Sequence, residues 1–325
     1  MPMIGASSPL QSQSAASSAD IALSFDGVDF AYTRKASVLH DVSFTVRREE
    51  VVALLGRNGE GKSTLMYLAL GLLRPGQGRV RTTGRDPVGH AVAVKQRIGF
   101  VSEQPMFPPH ASGREILALH RALYPTWDTA LERELVERFD LGPSLGKSSD
   151  ASKGQRQQLA LLCAVCHRPE LLLLDEPAAG LDPTARREFM EMALRLLSRE
   201  GTAILFSSHH MGDVERLGGR AALLHGGRIA LDAPLDVLRE AHTLVVMPQS
   251  LCTEREWRAA PHVRRVRLRD GQWRAILAGT PLEAQRSVQR MVQSDVVQYA
   301  SMTLEEVFVE FTARADDDAP TARMA

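Results

Sequence analysis

A glycine-rich segment that directly follows a short apolar run constrains this fold more than any other feature of the chain. Val51-Val52-Ala53-Leu54-Leu55 has the unbroken apolar character of a strand buried on both faces of a sheet. It is followed by Gly56-Arg57-Asn58-Gly59-Glu60-Gly61-Lys62-Ser63-Thr64, and a helix is predicted from about Lys62 to near Gly71. The glycines permit a turn whose backbone N–H groups point at one anion, with the helix N-terminus behind them. The order of strand, loop and helix predicts an α/β fold with a phosphate loop.

This loop has the pattern that binds the phosphates of a nucleotide. Lys62 is predicted to reach the β- and γ-phosphates, and the Ser63 hydroxyl is predicted to bind Mg²⁺. We expect the whole segment from Gly56 to Thr64 to contact the nucleotide. Because a bare sequence pattern also occurs by chance in glycine-rich turns, its position between a buried strand and a helix is what makes the prediction specific.

A second apolar strand, Leu171–Leu174, ends in two acids, Asp175 and Glu176. Two acids at a strand end are by themselves more typical of residues that face solvent. Together with a phosphate loop upstream, they predict hydrolysis of the nucleotide. Asp175 would bind the metal, directly or through water, and Glu176 would accept a proton from a water in line with the γ-phosphate.

The remaining segments predict a core, an insert and an appended unit. The α/β core is completed by predicted strands at Ile21–Phe25, Val38–Val46 and Ala203–Phe206 and by a helix from Asp182-Pro183 to Glu200. Two further helices, Arg114–Tyr124 and Thr129–Phe139, are predicted to form an insert. Beyond Pro234, the turn residues Asp270-Gly271 predict a hairpin between the strands Val266–Arg269 and Gln272–Leu277. A helix is predicted at Leu282–Val292, and a second helix begins with the capping box Thr303-x-x-Glu306. We therefore expect a disordered tail at 1–20, a nucleotide-hydrolysing domain at 21–234 with a helical subdomain at about 105–168, a small α+β domain at 235–312 and a second disordered tail at 313–325.

The composition of the chain indicates which kinds of partner and which cellular compartment are expected. Lys plus Arg and Asp plus Glu number 39 each, so no global field attracts nucleic acid or an anionic membrane. The most apolar stretch, 159–174, is interrupted by His167-Arg168-Pro169-Glu170, and the first 20 residues lack the features of a signal peptide. Three cysteines are too few for a disulfide scaffold, and Cys163 and Cys166 are expected to pack in a helix. These features predict a cytoplasmic protein.

The order of the motifs resembles the nucleotide-binding subunits of ABC transporters, from about Ile21 to Asp232. Phe100-Val101-Ser102-Glu103-Gln104 is similar to the family's glutamine loop, and Ala151-Ser152-Lys153-Gly154-Gln155-Arg156 to its Leu-Ser-Gly-Gly-Gln signature. Leu174-Asp175-Glu176-Pro177, the dimer loop Ala179-Gly180-Leu181-Asp182 and Ser208-His209 follow in the family's order. The resemblance implies a P-loop NTPase core of the ABC type with an antiparallel β subdomain and a helical insert, plus the small C-terminal α+β domain.

The resemblance also implies roles for single residues. Tyr32 would stack on the adenine, Gln104 would contact the metal and the attacking water, and His209 would bind the γ-phosphate, with His210 a weaker candidate. Ser152, Gly154 and Gln155 would contact ATP held by a partner subunit. Lys153 replaces a glycine and either contacts a phosphate or points to solvent, and Glu60 replaces a small residue, so it weakens ATP binding unless it faces water or a cation.

The chain is accordingly expected to hydrolyse ATP, with Mg²⁺ as cofactor, and to energise a separate membrane permease. Two subunits, identical or related, would close around two ATP molecules at the inner face of the cell membrane, without nucleic acid as a partner. The C-terminal segment Thr303-Leu304-Glu305-Glu306-Val307-Phe308 resembles the ends of ATPases that serve exporters, which favours export. One alternative is a soluble ABC-type ATPase acting on ribosomes or DNA. A small-molecule kinase would leave the Ser152–Gln155 segment and His209 unexplained.

Overall fold

The computed structural model of the chain describes most of the sequence. The described residues are 20–33, 36–142, 146, 150–178, 181, 184, 186–187, 189–192, 201–208, 211–217, 219–239 and 242–312. Of the expected tails, 1–20 and 313–325, all but Asp20 lies outside these residues, as does the predicted cap Asp182-Pro183. Residues 184, 186–187 and 189–192 are helical, as predicted for that stretch.

A six-stranded sheet forms the centre of the molecule. Its strand order is β5-β6-β7-β3-β8-β9, parallel except for β9, which pairs antiparallel with β8. The strands are β3 (Val51–Leu55), β5 (Ile98–Val101), β6 (Leu171–Leu174), β7 (Ala203–Ser207), β8 (Arg220–His225) and β9 (Arg228–Pro234). Ala53 and Leu55 pack into one hydrophobic core, whereas Val52 and Leu54 pack into another. The prediction that β3 is buried on both faces is confirmed.

A three-stranded antiparallel sheet covers one of these cores. It consists of β1 (Ile21–Thr33), β2 (Ala36–Arg47) and β4 (Gln77–Thr82), in the order β2-β1-β4. Alternating residues such as Leu23 and Phe25 are buried against α1 (Lys62–Ala69), which gives the antiparallel β subdomain expected from the sequence. A short helix, α2 (Ala91–Lys95), lies between β4 and β5 along the chain.

The segment between β5 and β6 is helical, as predicted. It contains α3 (Gly113–Leu123), α4 (Thr129–Arg138) and α5 (Lys153–Val165). Cys163 in α5 and Cys166 at its end are buried in the core, and burial raises the pKa of both thiols, so they remain protonated. In the part of the chain that the structure describes, every helix is too short or too polar to traverse a membrane.

A four-stranded antiparallel sheet follows the two short elements α6 (Met211–Leu217) and α7 (Leu235–Arg239). Its order is β11-β12-β10-β13, with β10 (His242–Pro248), β11 (Val263–Arg269), β12 (Gln272–Ala278) and β13 (Gln298–Met302). The hairpin turn is confirmed: Asp270 and Gly271 both have left-handed φ angles, 49° and 72°. A 3₁₀ turn (Gln249–Leu251), α8 (Glu254–Ala259) and α9 (Pro281–Gln289) complete this part.

The last helix, α10 (Leu304–Thr312), begins with the predicted capping box. The Thr303 hydroxyl accepts the N–H of Glu306 at 3.3 Å, and the Glu306 carboxylate accepts the N–H of Thr303 at 2.7 Å. Leu304 and Phe308 then pack into the same core as α3–α5 and not into the core of the four-stranded sheet. The chain therefore returns to the central sheet after building the four-stranded one.

Candidate nucleotide-binding and hydrolysis site

The loop between β3 and α1 adopts a conformation that requires its glycines. Gly59 and Gly61 have φ angles of 85° and 106°, in the left-handed region. A Cβ atom at Gly61 would lie 2.9 Å from the Leu39 side chain, and one at Gly56 would lie 2.6 Å from the Leu224 carbonyl oxygen. Side chains at these positions would push the loop away from the sheet. The sequence Gly-x-x-x-x-Gly-Lys-Ser thus produces a loop that lies directly on β8 and ends at the helix N-terminus.

Lys62 is the first residue of α1, and its side chain folds back over the loop. Its Nζ donates to the Gly56 carbonyl oxygen at 2.7 Å and to that of Arg57 at 3.4 Å. The same ammonium lies 3.4 Å from Oε1 of Glu176, and the Lys62 side chain is only 6% exposed. The two groups that the sequence assigned to phosphate binding and to proton transfer therefore meet at one point.

Glu60, the unusual acid of this loop, is buried and faces the β8–β9 turn. Its Oε2 accepts the Gly226 N–H at 2.6 Å, and its Oε1 lies 3.5 Å from Nδ1 of His225. The Gly226 N–H therefore satisfies one oxygen of this buried carboxylate. The acid joins the phosphate loop to the neighbouring turn, an arrangement that sequence reasoning did not find.

A buried serine holds both acids at the end of β6. The Ser207 hydroxyl donates to Oδ1 of Asp175 at 2.8 Å and accepts the N–H of Glu176 at 2.8 Å. Asp175 and Glu176 are 4% and 9% exposed, and Glu176 has a left-handed φ of 47°. A non-glycine residue in that region is strained, and such strain persists where neighbouring contacts fix the backbone. Here the strained turn directs the Glu176 carboxylate toward Lys62.

Replacing Ser207 with Ala should destabilise the chain because it removes the hydrogen bonds of a buried N–H and a buried carboxylate. We expect a loss of about 1–3 kcal/mol in the free energy of unfolding, measured by urea denaturation. The matched control is Ser43→Ala, since Ser43 accepts the Gly27 N–H at 3.0 Å at an exposed site where water can replace the hydroxyl. Equal losses in the two variants would contradict the role given to Ser207.

Tyr32 lies at the end of β1 beside the phosphate-loop helix. Its hydroxyl is 3.2 Å from Oγ1 of Thr64, its ring packs edge-on against Phe30 with centroids 4.9 Å apart, and the residue is 55% exposed. Tyr67, one turn further along α1, is half-buried. Burial and, to a smaller extent, the Asp175 carboxylate raise the pKa of Tyr67, which keeps its phenol protonated.

Gln104 follows β5 and lines a cavity of about 570 Å³ together with Lys153 and Arg156 of α5. A partly buried hydrogen bond joins the two segments, since Nε2 of Gln157 donates to the Ser102 carbonyl oxygen at 3.2 Å. The predicted glutamine loop and the predicted signature segment are therefore neighbours within one chain.

The signature segment caps α5. The Ser152 hydroxyl accepts the Gln155 N–H at 3.2 Å, and Oε1 of Gln155 accepts the Ser152 N–H at 2.8 Å, so the two form a capping box. Ser152 and Lys153 are exposed, whereas Gly154 is half-buried against Leu181. The N-terminus of a thirteen-residue helix thus faces outward from the chain.

Two predicted elements fall at the edge of the described residues. His209 and His210 lie outside them, as do Ala179, Gly180 and Asp182 of the predicted dimer loop. The neighbouring Ser208 is buried and its hydroxyl is 3.1 Å from Oδ2 of Asp213, which pairs with Arg186. This polar cluster fixes the chain immediately before His209.

Sequence reasoning missed Ser207, and one signal could have found it. β6 and β7 pair in parallel, with Leu174 opposite Phe206, so the residues that follow each of them are neighbours. A small hydroxyl residue at that point is suited to bind the first acid after β6. Glu60 left no comparable signal, because its partners belong to a turn more than 160 residues away.

The fold and the site together define an ATP-binding cassette of the P-loop class, and comparison with known proteins agrees. The family model described as ABC transporter matches residues 39–179. The chain is 31% identical to the daunorubicin resistance ATP-binding protein DrrA3 of Streptomyces coeruleorubidus, over 90% of this chain and 96% of that protein. It is 34% identical to the Nod factor export ATP-binding protein I of Neorhizobium galegae, over 66% of this chain and 62% of that protein. A solved structure described as the ATP-binding subunit of an ABC transporter matches with a TM-score of 0.62 and 30% identity, over 67% of this chain and 91% of the other.

The chain belongs to the ABC transporter ATP-binding proteins. It is an ATP-hydrolysing subunit of a transporter, as the order of motifs implied. Subunits of this family generally pair with membrane permeases and form dimers. Nothing in the similarities favours the alternative of an ATPase acting on ribosomes or DNA.

Proposed function

We propose that this chain is the ATPase of an exporter and that it acts as one of two cassettes that hold ATP between them. The observation that supports this most strongly is the meeting of Lys62 and Glu176, 3.4 Å apart, where the phosphate loop faces the end of β6. A cation for the γ-phosphate and a carboxylate for the attacking water are thereby adjacent.

Binding of ATP rests on the phosphate loop. The N–H groups of Gly56–Thr64 and the N-terminus of α1 surround the phosphates, and Lys62 contacts the β- and γ-phosphates after exchanging its contacts to the loop carbonyls. Tyr32, at the same end of α1, offers its ring to the adenine. Arg57, Asn58, Gly59 and Glu60 shape the loop around these groups.

Three side chains suit Mg²⁺: the Ser63 hydroxyl, the Asp175 carboxylate and the Gln104 amide. The described residues contain no group of three or more His, Cys, Asp and Glu that could hold a metal ion by itself. That fits a nucleotide-bound ion, because Mg²⁺ in such sites takes most of its ligands from phosphates and water. When bound, it neutralises charge that develops on the β- and γ-phosphate oxygens. Ser207, bonded to Oδ1, orients the Asp175 carboxylate for this purpose.

Hydrolysis then follows from the position of Glu176. Its carboxylate removes a proton from the water that attacks the γ-phosphorus, the bond to the bridging oxygen breaks, and ADP and inorganic phosphate leave. Gln104 orients the water, and His209 donates to the γ-phosphate. The Lys62 ammonium lies 3.4 Å from this carboxylate, so the phosphate-binding cation and the proton acceptor act at the same point.

The exposed N-terminus of α5 suggests that the site is completed by a second subunit. Ser152, Gly154 and Gln155 would face the γ-phosphate bound by the partner, where the helix N-terminus favours an anion. Hydrolysis removes the contact across the interface and reopens the pair, a population shift driven by the ligand. The partner is either a second copy of this chain or a related subunit.

Coupling to a permease and to export is tested by co-purification. We expect the chain to purify with membranes, on their cytoplasmic face, together with a protein that contains several membrane-spanning helices. The relatives named for drug resistance and for Nod factor export make export the favoured direction. Recovery from the soluble fraction alone, or together with ribosomes or DNA, would contradict this function.

Replacing Tyr32 with Ala should weaken the binding of ATP and of GTP to a similar extent. Aromatic stacking on a base contributes about 1–3 kcal/mol, so both dissociation constants should rise by about 5- to 150-fold. Isothermal titration calorimetry measures both. Tyr32→Phe keeps the ring and loses only the hydroxyl near Thr64, so it is the matched control and should bind both nucleotides nearly as well as wild type. A loss confined to ATP would contradict stacking as the main contact.

A further inference from the structure

A cavity of about 610 Å³ lies outside the nucleotide site, between α9 and the β11–β12 edge of the four-stranded sheet. Three arginines line it: Arg264 of β11 and Arg286 and Arg290 at the end of α9. Leu277 and Ala284 provide a buried apolar floor. A volume of this size suits a small organic molecule.

Backbone geometry brings the arginines together. Glu283, Arg286, Ser287 and Arg290 follow one another at intervals of three, one and three residues, which places them on one face of α9. Opposite that face, the pairing of β11 with β12 is irregular between Val263 and Arg265, so Arg264 lies at a bulge. Bulges redirect side chains, and this one brings an edge-strand arginine to the helix.

The positive charge of this cluster is largely uncompensated. In the described parts of the chain, no carboxylate lies within ion-pair distance of Arg264, Arg286 or Arg290, and Arg290 makes one long bond from Nε to the Arg286 carbonyl oxygen at 3.4 Å. Glu283 is the acid of the lining, but its Oε2 accepts the N–H and hydroxyl of Thr280 at 2.7 and 2.9 Å. These bonds, with a smaller effect of Arg286 and His262, lower the pKa of Glu283. The lining therefore carries three fixed positive charges against one negative charge.

A buried polar group in the same lining also calls for a ligand. Ser287 is 5% exposed, and its hydroxyl has no hydrogen-bond partner among the residues that the structure describes. Buried hydroxyls are nearly always paired, so an isolated one beside three arginines is an unusual and costly arrangement. An acceptor oxygen brought by a ligand would satisfy it.

We propose that this cavity binds a phosphate monoester, with the phosphate on Arg264, Arg286, Arg290 and the Ser287 hydroxyl and the organic group on Leu277 and Ala284. Guanidinium groups match phosphate oxygens in pairs, and a phosphate has enough acceptors for three of them and a hydroxyl. The ester is either a soluble molecule or the headgroup of a membrane lipid. This site is separate from the nucleotide site and does not depend on the function proposed for it.

The test uses phenyl phosphate as probe and the full chain carrying Lys62→Ala, which removes the phosphate-loop lysine. Isothermal titration at constant ionic strength should show saturable binding. Adding Arg286→Gln and Arg290→Gln should raise the dissociation constant at least about tenfold, since each lost charge-assisted hydrogen bond costs about 1.5–3 kcal/mol. Both arginines are exposed, so folding should be retained. The matched control is Arg269→Gln, an exposed arginine at the hairpin tip, which should leave binding unchanged.

A second arm distinguishes the source of the ester. Vesicles of phosphatidylcholine, with and without phosphatidic acid, are floated with the same proteins. Flotation that requires phosphatidic acid and both arginines would assign the site to a lipid, whereas binding of phenyl phosphate without flotation would assign it to a soluble ester. The proposal would be overturned if the protein neither bound phenyl phosphate nor floated with phosphatidic acid vesicles. It would also be overturned if binding survived the double substitution.

Discussion

ATP with Mg²⁺ is expected to raise the melting temperature of the wild-type chain and to leave that of Lys62→Ala unchanged. A ligand at about 100 times its dissociation constant stabilises the folded state by roughly 2.7 kcal/mol, which gives a clear thermal shift. Lys62 lies on the loop that surrounds the phosphates, with Nζ 2.7 Å from the Gly56 carbonyl oxygen. Without its ammonium, the loop loses the side-chain cation assigned to the β- and γ-phosphates.

The comparison is made within each variant, with and without ATP, so that any change in the stability of the ligand-free protein cancels. Lys95→Ala is the matched control, because Lys95 is exposed at the end of α2 and has no part in the proposed site. It should keep the full shift. A shift of equal size in Lys62→Ala would show that the phosphate loop does not form the nucleotide site.

Replacing Glu176 with Gln should slow ATP turnover by about 10²- to 10⁴-fold, the contribution typical of a general base. Gln keeps the size of the side chain and can accept a hydrogen bond, but it cannot take up the proton of the attacking water. ATP binding should be retained, because the phosphates are held by the loop and by Lys62. Steady-state release of phosphate measures turnover, and the thermal shift with ATP measures binding.

The control for this variant is Glu137→Gln, at an exposed position of α4 that is unconnected with the site. Its turnover should equal that of wild type. Near-normal hydrolysis in Glu176→Gln would move the general base to another residue, with His209 as the next candidate. Loss of the ATP-dependent shift in Glu176→Gln would instead show that the carboxylate supports binding.

The parts of the fold that sequence patterns predict well are those with strong local signals. β3 and β6 are short runs of buried apolar residues, and the hairpin at Asp270-Gly271 and the cap at Thr303 use residue types that each geometry requires. The phosphate loop and the acids after β6 could be placed in one site because both follow strands of a parallel sheet. The carboxyl ends of such strands lie at one edge.

The parts that could not be predicted depend on contacts between distant segments. β10 lies at the centre of the four-stranded sheet, paired with β12 and β13, yet nothing local in His242–Pro248 indicates its partners. Likewise, Glu60 bonds to Gly226, and Ser207 bonds to both acids, only because the sheet order brings β3, β6, β7 and β8 together. The packing of α10 against the core of the central sheet could not be predicted for the same reason, because its partners are distant in the sequence.

Size-exclusion chromatography of Glu176→Gln with ATP and Mg²⁺ tests the central claim, that two cassettes hold ATP between them, most directly. Since this variant binds ATP without hydrolysing it, the account predicts a dimer that forms only with ATP. Adding Ser152→Arg should return the protein to a monomer, because a bulky cation at the exposed N-terminus of α5 would block the γ-phosphate of the partner. A monomer in the first case, or an equally stable dimer in the second, would contradict the account.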